Sequence, residues 1–125
     1  MIQLVAALLL GLLMAAPALN SPQLGAAFPV YVHLLVLGWA TQMIFGVAYW
    51  MFPRPGPEHG YGSAVLGWLS FAALNAGLVL RAAAEPAGAV HPTRLTAAGL
   101  LFAALLHLVA ALAFTALVWR RVTTC

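Results

Sequence analysis

His33 and His107 each sit inside a long run of apolar residues, whereas His59 and His91 fall in connections rich in proline and glycine. A neutral imidazole ligates iron, zinc or copper, and a hydrogen bond at one ring nitrogen leaves the other for a metal. The plain alternative in hydrocarbon is a ring satisfied by a carbonyl or by headgroup water. His33 lies near one end of its run, where either role is open to it. His107 lies near the middle of the last run, where the partner must come from the protein. Its helical face carries Gly99, Ala103, Ala104, Ala110 and Ala111. These small residues leave room for a flat cofactor, and they equally let a neighbouring helix come close. His59 and His91 read as solvated loop residues, with His91 on the same side as His33.

Other polar groups in the runs are few. Gln42 and Asn75 are expected to bridge helices through amide hydrogen bonds. Arg81, at a helix end, is expected to snorkel toward water. Gly38 and Gly46, eight apart, fall on one helical face and predict a smooth packing groove flanked by Trp39, Tyr49 and Trp50. Enzyme signatures are absent: there is no aspartate, no Cys–His pair and no phosphate-binding glycine loop. Cys125 stands alone, so no intrachain disulfide forms.

The elements that carry these residues follow from composition. Of 125 residues, 65% are hydrophobic and 6% charged, too few charges to cover a water-soluble domain. Apolar stretches predict helices over 2–19, 28–52, 61–84 and 94–119, each close to or above the ~20 residues that cross hydrocarbon. Nothing alternates with period two, so helices and not barrel strands are expected. The expected fold is all-α: one domain, an integral membrane four-helix bundle of up-down topology. The first stretch also has signal-peptide character around Ala16–Ala18, but it lacks a positive leader and is expected to be retained.

Turn residues mark the connections. Ser21 and Pro22 offer a helix start, with Pro29 either kinking the second helix or restarting it. Pro53–Gly60 is a firm stop, and Glu85–Arg94 reads as the loop on the opposite side. Arg54, Arg120 and Arg121 then share a side with the amino terminus, against Arg81 and Arg94 on the other. That margin predicts both termini in the cytoplasm, with the chain in the inner membrane. The net charge of +3 is spread over loops, so membrane lipid and no nucleic acid is the expected surroundings.

The pattern His33-x-x-x-x-Gly38-Trp39, followed by "IFGVAYWMFPR", resembles the second transmembrane helix of haem-copper oxidase subunit I and of the nitric oxide reductase large subunit. It is more similar still to short four-helix membrane proteins described as oxidase-subunit-I-like. The resemblance covers about 25 residues strongly, and the first two helices weakly. It implies that His33, on a helix running from outside to inside, ligates the low-spin haem, a haem b. His107 is the favoured second ligand, although helix counting places it about 10 Å deeper than His33. His91, or His33 of a second copy across a two-fold axis, are the alternatives. With a haem present, Arg81 and Arg94 would meet its propionates. No His-x-x-x-Tyr pair and no double histidine exists, so no copper site is implied and oxygen reduction by this chain alone is not expected.

The preferred reading is therefore a haem-b-binding membrane protein for electron transfer or diatomic gas binding, as a homo-oligomer or a subunit of a respiratory complex. Its rival is a cofactor-free structural or assembly subunit of such a complex. A third reading, a metal-ion carrier using His33, His91 and His107, lacks intramembrane carboxylates to neutralise the ion.

Overall fold

The computed structural model describes residues 1–16, 25, 27–51 and 62–123. They form four helices and, among the described residues, no strand: α1 (Ile2–Ala15), α2 (Phe28–Met51), α3 (Gly62–Val90) and α4 (Arg94–Thr123). Three of them, α2, α3 up to Val90 and α4, are long and apolar enough to cross a membrane. At 1.5 Å per residue the 24 residues of α2 span about 36 Å, enough for the ~30 Å hydrocarbon layer. Leu95 and Trp50 are each 81% exposed, and large apolar side chains cover much of the outer surface. Such a surface suits lipid as the solvent. The turn at Ser21–Pro22, the Pro53–Gly60 segment with Arg54 and His59, and Cys125 lie outside the described residues.

The core is a seam of small residues between α3 and α4. Ala103 and Ala110 have no exposed surface, and Ala73 and Leu74 close the same contact from α3. Ser70 Oγ donates to the Ala110 carbonyl at 2.9 Å. A Cβ placed on Gly99 would touch that of Ala84 at 3.4 Å, and one on Gly88 would reach Thr96 at 3.5 Å. Residue numbers rise along one helix as they fall along the other, so the pair is antiparallel. Lipid tails are as apolar as leucine, so close backbone approach and hydrogen bonds must hold the pair together. The small face around His107 serves this purpose through Ala103 and Ala110, while Ala104 and Ala111 face outward.

The helix starts are local. α2 begins at Phe28 with Pro29 in its first turn, so Pro29 starts the helix and does not kink it. At α4, Thr96 N–H donates to Thr93 Oγ1 at 3.2 Å, while Thr93 N–H donates to Thr96 Oγ1 at 3.0 Å. This is a capping box with threonine in the place usually taken by Glu or Gln.

Three boundaries differ from those the sequence suggests. The first is that α1 stops at Ala15, with Ala16 extended, where the sequence predicts a helix over 2–19. α3 continues through Glu85 and Pro86 to Val90, and only His91–Thr93 connect it to α4. Pro86 removes one backbone donor, but the Arg81–Glu85 ion pair at 2.7 Å spans that turn and Gly88 keeps α3 against α4. In lipid the helix is the one state that satisfies the remaining backbone groups, which outweighs the proline. α4 likewise runs one turn past Trp119 to Thr123, because Arg121 bonds across to α2.

Within α2, residues Leu34–Ala40 form a π-helix. Thr41 marks its end: both its N–H and its Oγ1 donate to the Val36 carbonyl, five residues back, the hydroxyl at 2.9 Å. The wider turn shifts the phase of everything that follows. Gly38 and Gly46 consequently do not share a face. Gly38 is buried against Gln3 and Leu78, whereas a Cβ on Gly46 would have nothing within 4 Å.

Ala110→Leu is expected to destabilise the protein by about 1–3 kcal/mol through overpacking of the seam, while Ala104→Leu, facing outward, is expected to be neutral. Reversible unfolding in mixed micelles, followed by helical circular dichroism, measures both.

Candidate functional site

The candidate site is the region where α2 and α3 bring His33 and Arg81 within electrostatic range of His107 on α4. His33 ends the first turns of α2, half-buried, immediately before the π segment. Its Nδ1 lies 2.6 Å from the Pro29 carbonyl. A carbonyl only accepts, so Nδ1 carries the proton and donates, and Nε2 keeps its lone pair. Pro29 supplies this carbonyl because it sits four residues back on the same helix. The bond fixes both the ring orientation and the tautomer.

His107 projects from α4 onto α3. A Cβ at Gly77 would stand 2.8 Å from His107 Nε2 and 3.0 Å from Cδ2, so only glycine fits opposite this ring. Nε2 is buried without a hydrogen bond of good geometry, although the Leu74 backbone on α3 is close enough to act on the ring. Leaving a buried ring nitrogen unpaired costs about 1–3 kcal/mol, unless something binds it.

Arg81 Nε donates to Glu85 Oε1 at 2.7 Å, so its charge is shared with an acid one turn on. Glu85 Oε2 is buried without a partner among the described residues. His91 and Arg94 are exposed at the α3–α4 turn. Among the described residues no three or more His, Cys, Asp or Glu side chains come together. His33, His91 and His107 therefore do not assemble the site that a three-histidine ion carrier requires.

Amides tie the helices beside the site. Gln3 Nε2 donates to Asn75 Oδ1 at 2.6 Å, and Asn75 Nδ2 donates to the Phe71 carbonyl at 2.8 Å. The Gln3 stem lies over Gly38, so the bridge from α1 to α3 crosses the π segment. Asn75 thus plays the bridging role expected of it. Gln42 differs: its Nε2 is buried with no partner among the described residues.

At the other end, Arg121 is 1% exposed. Its Nη1 donates to the Tyr49 carbonyl at 2.6 Å, and its guanidinium carbon stands 4.1 Å from the Tyr49 ring centroid. The Tyr49 ring is held from a second side, since a Cβ on Gly67 would come within 3.2 Å of it. The sequence suggested a solvated cation here. The signal for burial was its register, four and eight residues after Leu117 and Ala113, both buried. Gln3, the one polar side chain of α1, carried a comparable signal.

Two cavities are described, one between α2 and α3 and one between α3 and α4, and neither is lined by a histidine. Imidazoles are the donors a b-type haem takes. The His33 ring is oriented by Pro29, whereas the His107 ring packs against Gly77, so iron would reach its Nε2 only if the ring turned off α3. Compared with known proteins, the chain matches no family model, no curated protein and no solved structure.

Gln3→Leu is expected to leave Asn75 Oδ1 unpaired and to weaken the fold. A double-mutant cycle with Asn75→Leu should return a coupling of about 0.6 kcal/mol and no more than about 1.7 kcal/mol, as for other membrane-buried hydrogen bonds.

Proposed function

We propose that this chain is a small haem-b-binding protein of the inner membrane, related to oxidase subunit I, with His33 as the first axial ligand. The observation that carries the reading is the His33 Nδ1–Pro29 bond, which prepares Nε2 for a metal. His107 is the second ligand, its buried and unpartnered Nε2 being the group that coordination would satisfy. Arg81 and Arg94 take the propionates at the outer end of the bundle. The four helices form an up-down bundle with both termini in the cytoplasm. It works as a homo-oligomer or as a subunit of a respiratory complex.

When bound, the haem would supply one-electron transfer if His33 and His107 both hold it, or diatomic gas binding if His33 alone does. The chain's own residues orient and shield it. Pro29 holds the His33 proton on Nδ1 and so raises the basicity of Nε2. Gly77 leaves the room into which the His107 ring packs on α3. The Arg81–Glu85 pair keeps the arginine charge at the outer turn of α3.

A second reading, a cofactor-free structural or assembly subunit, is supported by a specific observation. The small residues around His107 already serve the α3–α4 contact, and neither cavity reaches a histidine. Absorbance of the protein purified after haem-replete expression separates the two. A Soret band is expected, lost in His33→Ala with the helical circular dichroism unchanged. His107→Ala is expected to convert a low-spin spectrum to a high-spin one. A colourless wild-type protein overturns the haem reading and leaves the assembly subunit.

A further inference from the structure

The π segment turns the second half of α2 toward a cavity of about 440 Å³ between α2 and α3. Gln42, Phe45, Gly46 and Tyr49 line it from α2, and Trp68 and Phe71 from α3. Its volume falls within the ~300–1,000 Å³ of ordinary small-molecule sites. Trp68 is 72% and Phe71 50% exposed, so the cavity opens on the face that meets lipid.

We propose that this cavity binds a flat, lipid-soluble ring compound bearing a carbonyl oxygen, a molecule of the quinone class, with the Gln42 amide donating to that oxygen. Three observations select this chemistry. The first is the unmet donor: Gln42 Nε2 is buried without a partner among the described residues, and an amide N–H needs an acceptor. Ser70, the nearby hydroxyl, keeps acceptor lone pairs while it donates to Ala110, yet no hydrogen bond joins it to Gln42 Nε2.

The second is depth. Gln42 stands two to three residues from the middle of the 24-residue α2, about 4 Å along the axis. Ester carbonyls of lipid headgroups lie at the edge of the ~30 Å core, so the acceptor must belong to a molecule dissolved within it. An acyl chain at this depth has no acceptor. Water needs two to four polar partners, and a wall built mostly of aromatic and aliphatic carbon does not provide them.

The third is shape. Phe45 stacks on Phe114 with centroids 3.7 Å apart and planes 4° from parallel, giving a stiff aromatic wall. The Tyr49 ring, backed by Arg121, continues it. A planar ring packs against such a wall better than a flexible chain does. Gly46 keeps the space open, having nothing within 4 Å of a Cβ built on it. The site is independent of the haem reading, since neither His33 nor His107 borders it.

The test is titration of the full-length protein in detergent with a short-chain ubiquinone analogue, following quenching of tryptophan fluorescence, because Trp68 borders the cavity. Saturable quenching is expected. Gly46→Leu, whose Cβ would meet no atom within 4 Å and whose side chain takes up cavity space, is expected to abolish it. Gln42→Leu is expected to weaken binding about tenfold, the effect of one hydrogen bond. Quenching that rises linearly, as for free tryptophan in the same micelles, overturns the proposal. So do curves unchanged in both variants, or equal displacement by decanol, which marks an acyl-chain groove. Helical circular dichroism of both variants confirms that the comparison is between folded proteins.

Discussion

The close approach of α3 to α4 is the contact on which the other features depend. In hydrocarbon there is no water to squeeze out, so two helices gain from touching only if their backbones come near enough for dense packing and hydrogen bonding. Ala103 and Ala110 on one helix and Gly77 and Ser70 on the other allow that approach. Its consequences reach outward from the seam. It sets His107 against Gly77, keeps α3 helical through Pro86, and carries α4 far enough for Arg121 to reach Tyr49.

Polar atoms are few in this chain, and their placement is uneven. Gln3 and Asn75 satisfy one another, and Ser70 satisfies itself on a backbone carbonyl. By contrast, His107 Nε2 and Gln42 Nε2 are buried and unpartnered among the described residues. Paired amides explain helix association and ask for nothing more. Unpaired polar atoms, which among the described residues also include Trp39 Nε1, Glu85 Oε2 and Arg121 Nε and Nη2, mark where a bound molecule would contribute most. His107 is one such place and Gln42, on the far side of the π segment, another.

Much of the architecture was legible in the sequence because the signals were strong. Runs of twenty or more apolar residues left helices spanning lipid as the one physical solution, and α2 and α4 begin at Phe28 and Arg94, where the apolar runs predict them. Glu85-Pro86 misled, because a proline rule learned in water exaggerates the cost of continuing a helix in lipid. The pairing of Gly38 with Gly46 failed for another reason: residue spacing converts to angle only if the helix keeps its period, and no residue type between them announces a π turn. The histidines were conspicuous from the start. Their environments were less so: Pro29 reaches His33 locally, four residues back, but Gly77 and Arg81 reach His107 only through tertiary packing.

The π segment has a consequence for how such a helix can change over generations. A regular helix is a rigid gear: turning one end turns the other, so any mutation that re-aims the residues around His33 also re-aims those around Gln42. Seven residues wound more loosely act as a slip coupling between the two ends. Each end can then be tuned by selection without dragging the other out of alignment, and a single inserted or lost residue becomes a change of aim where it would otherwise be a broken fold.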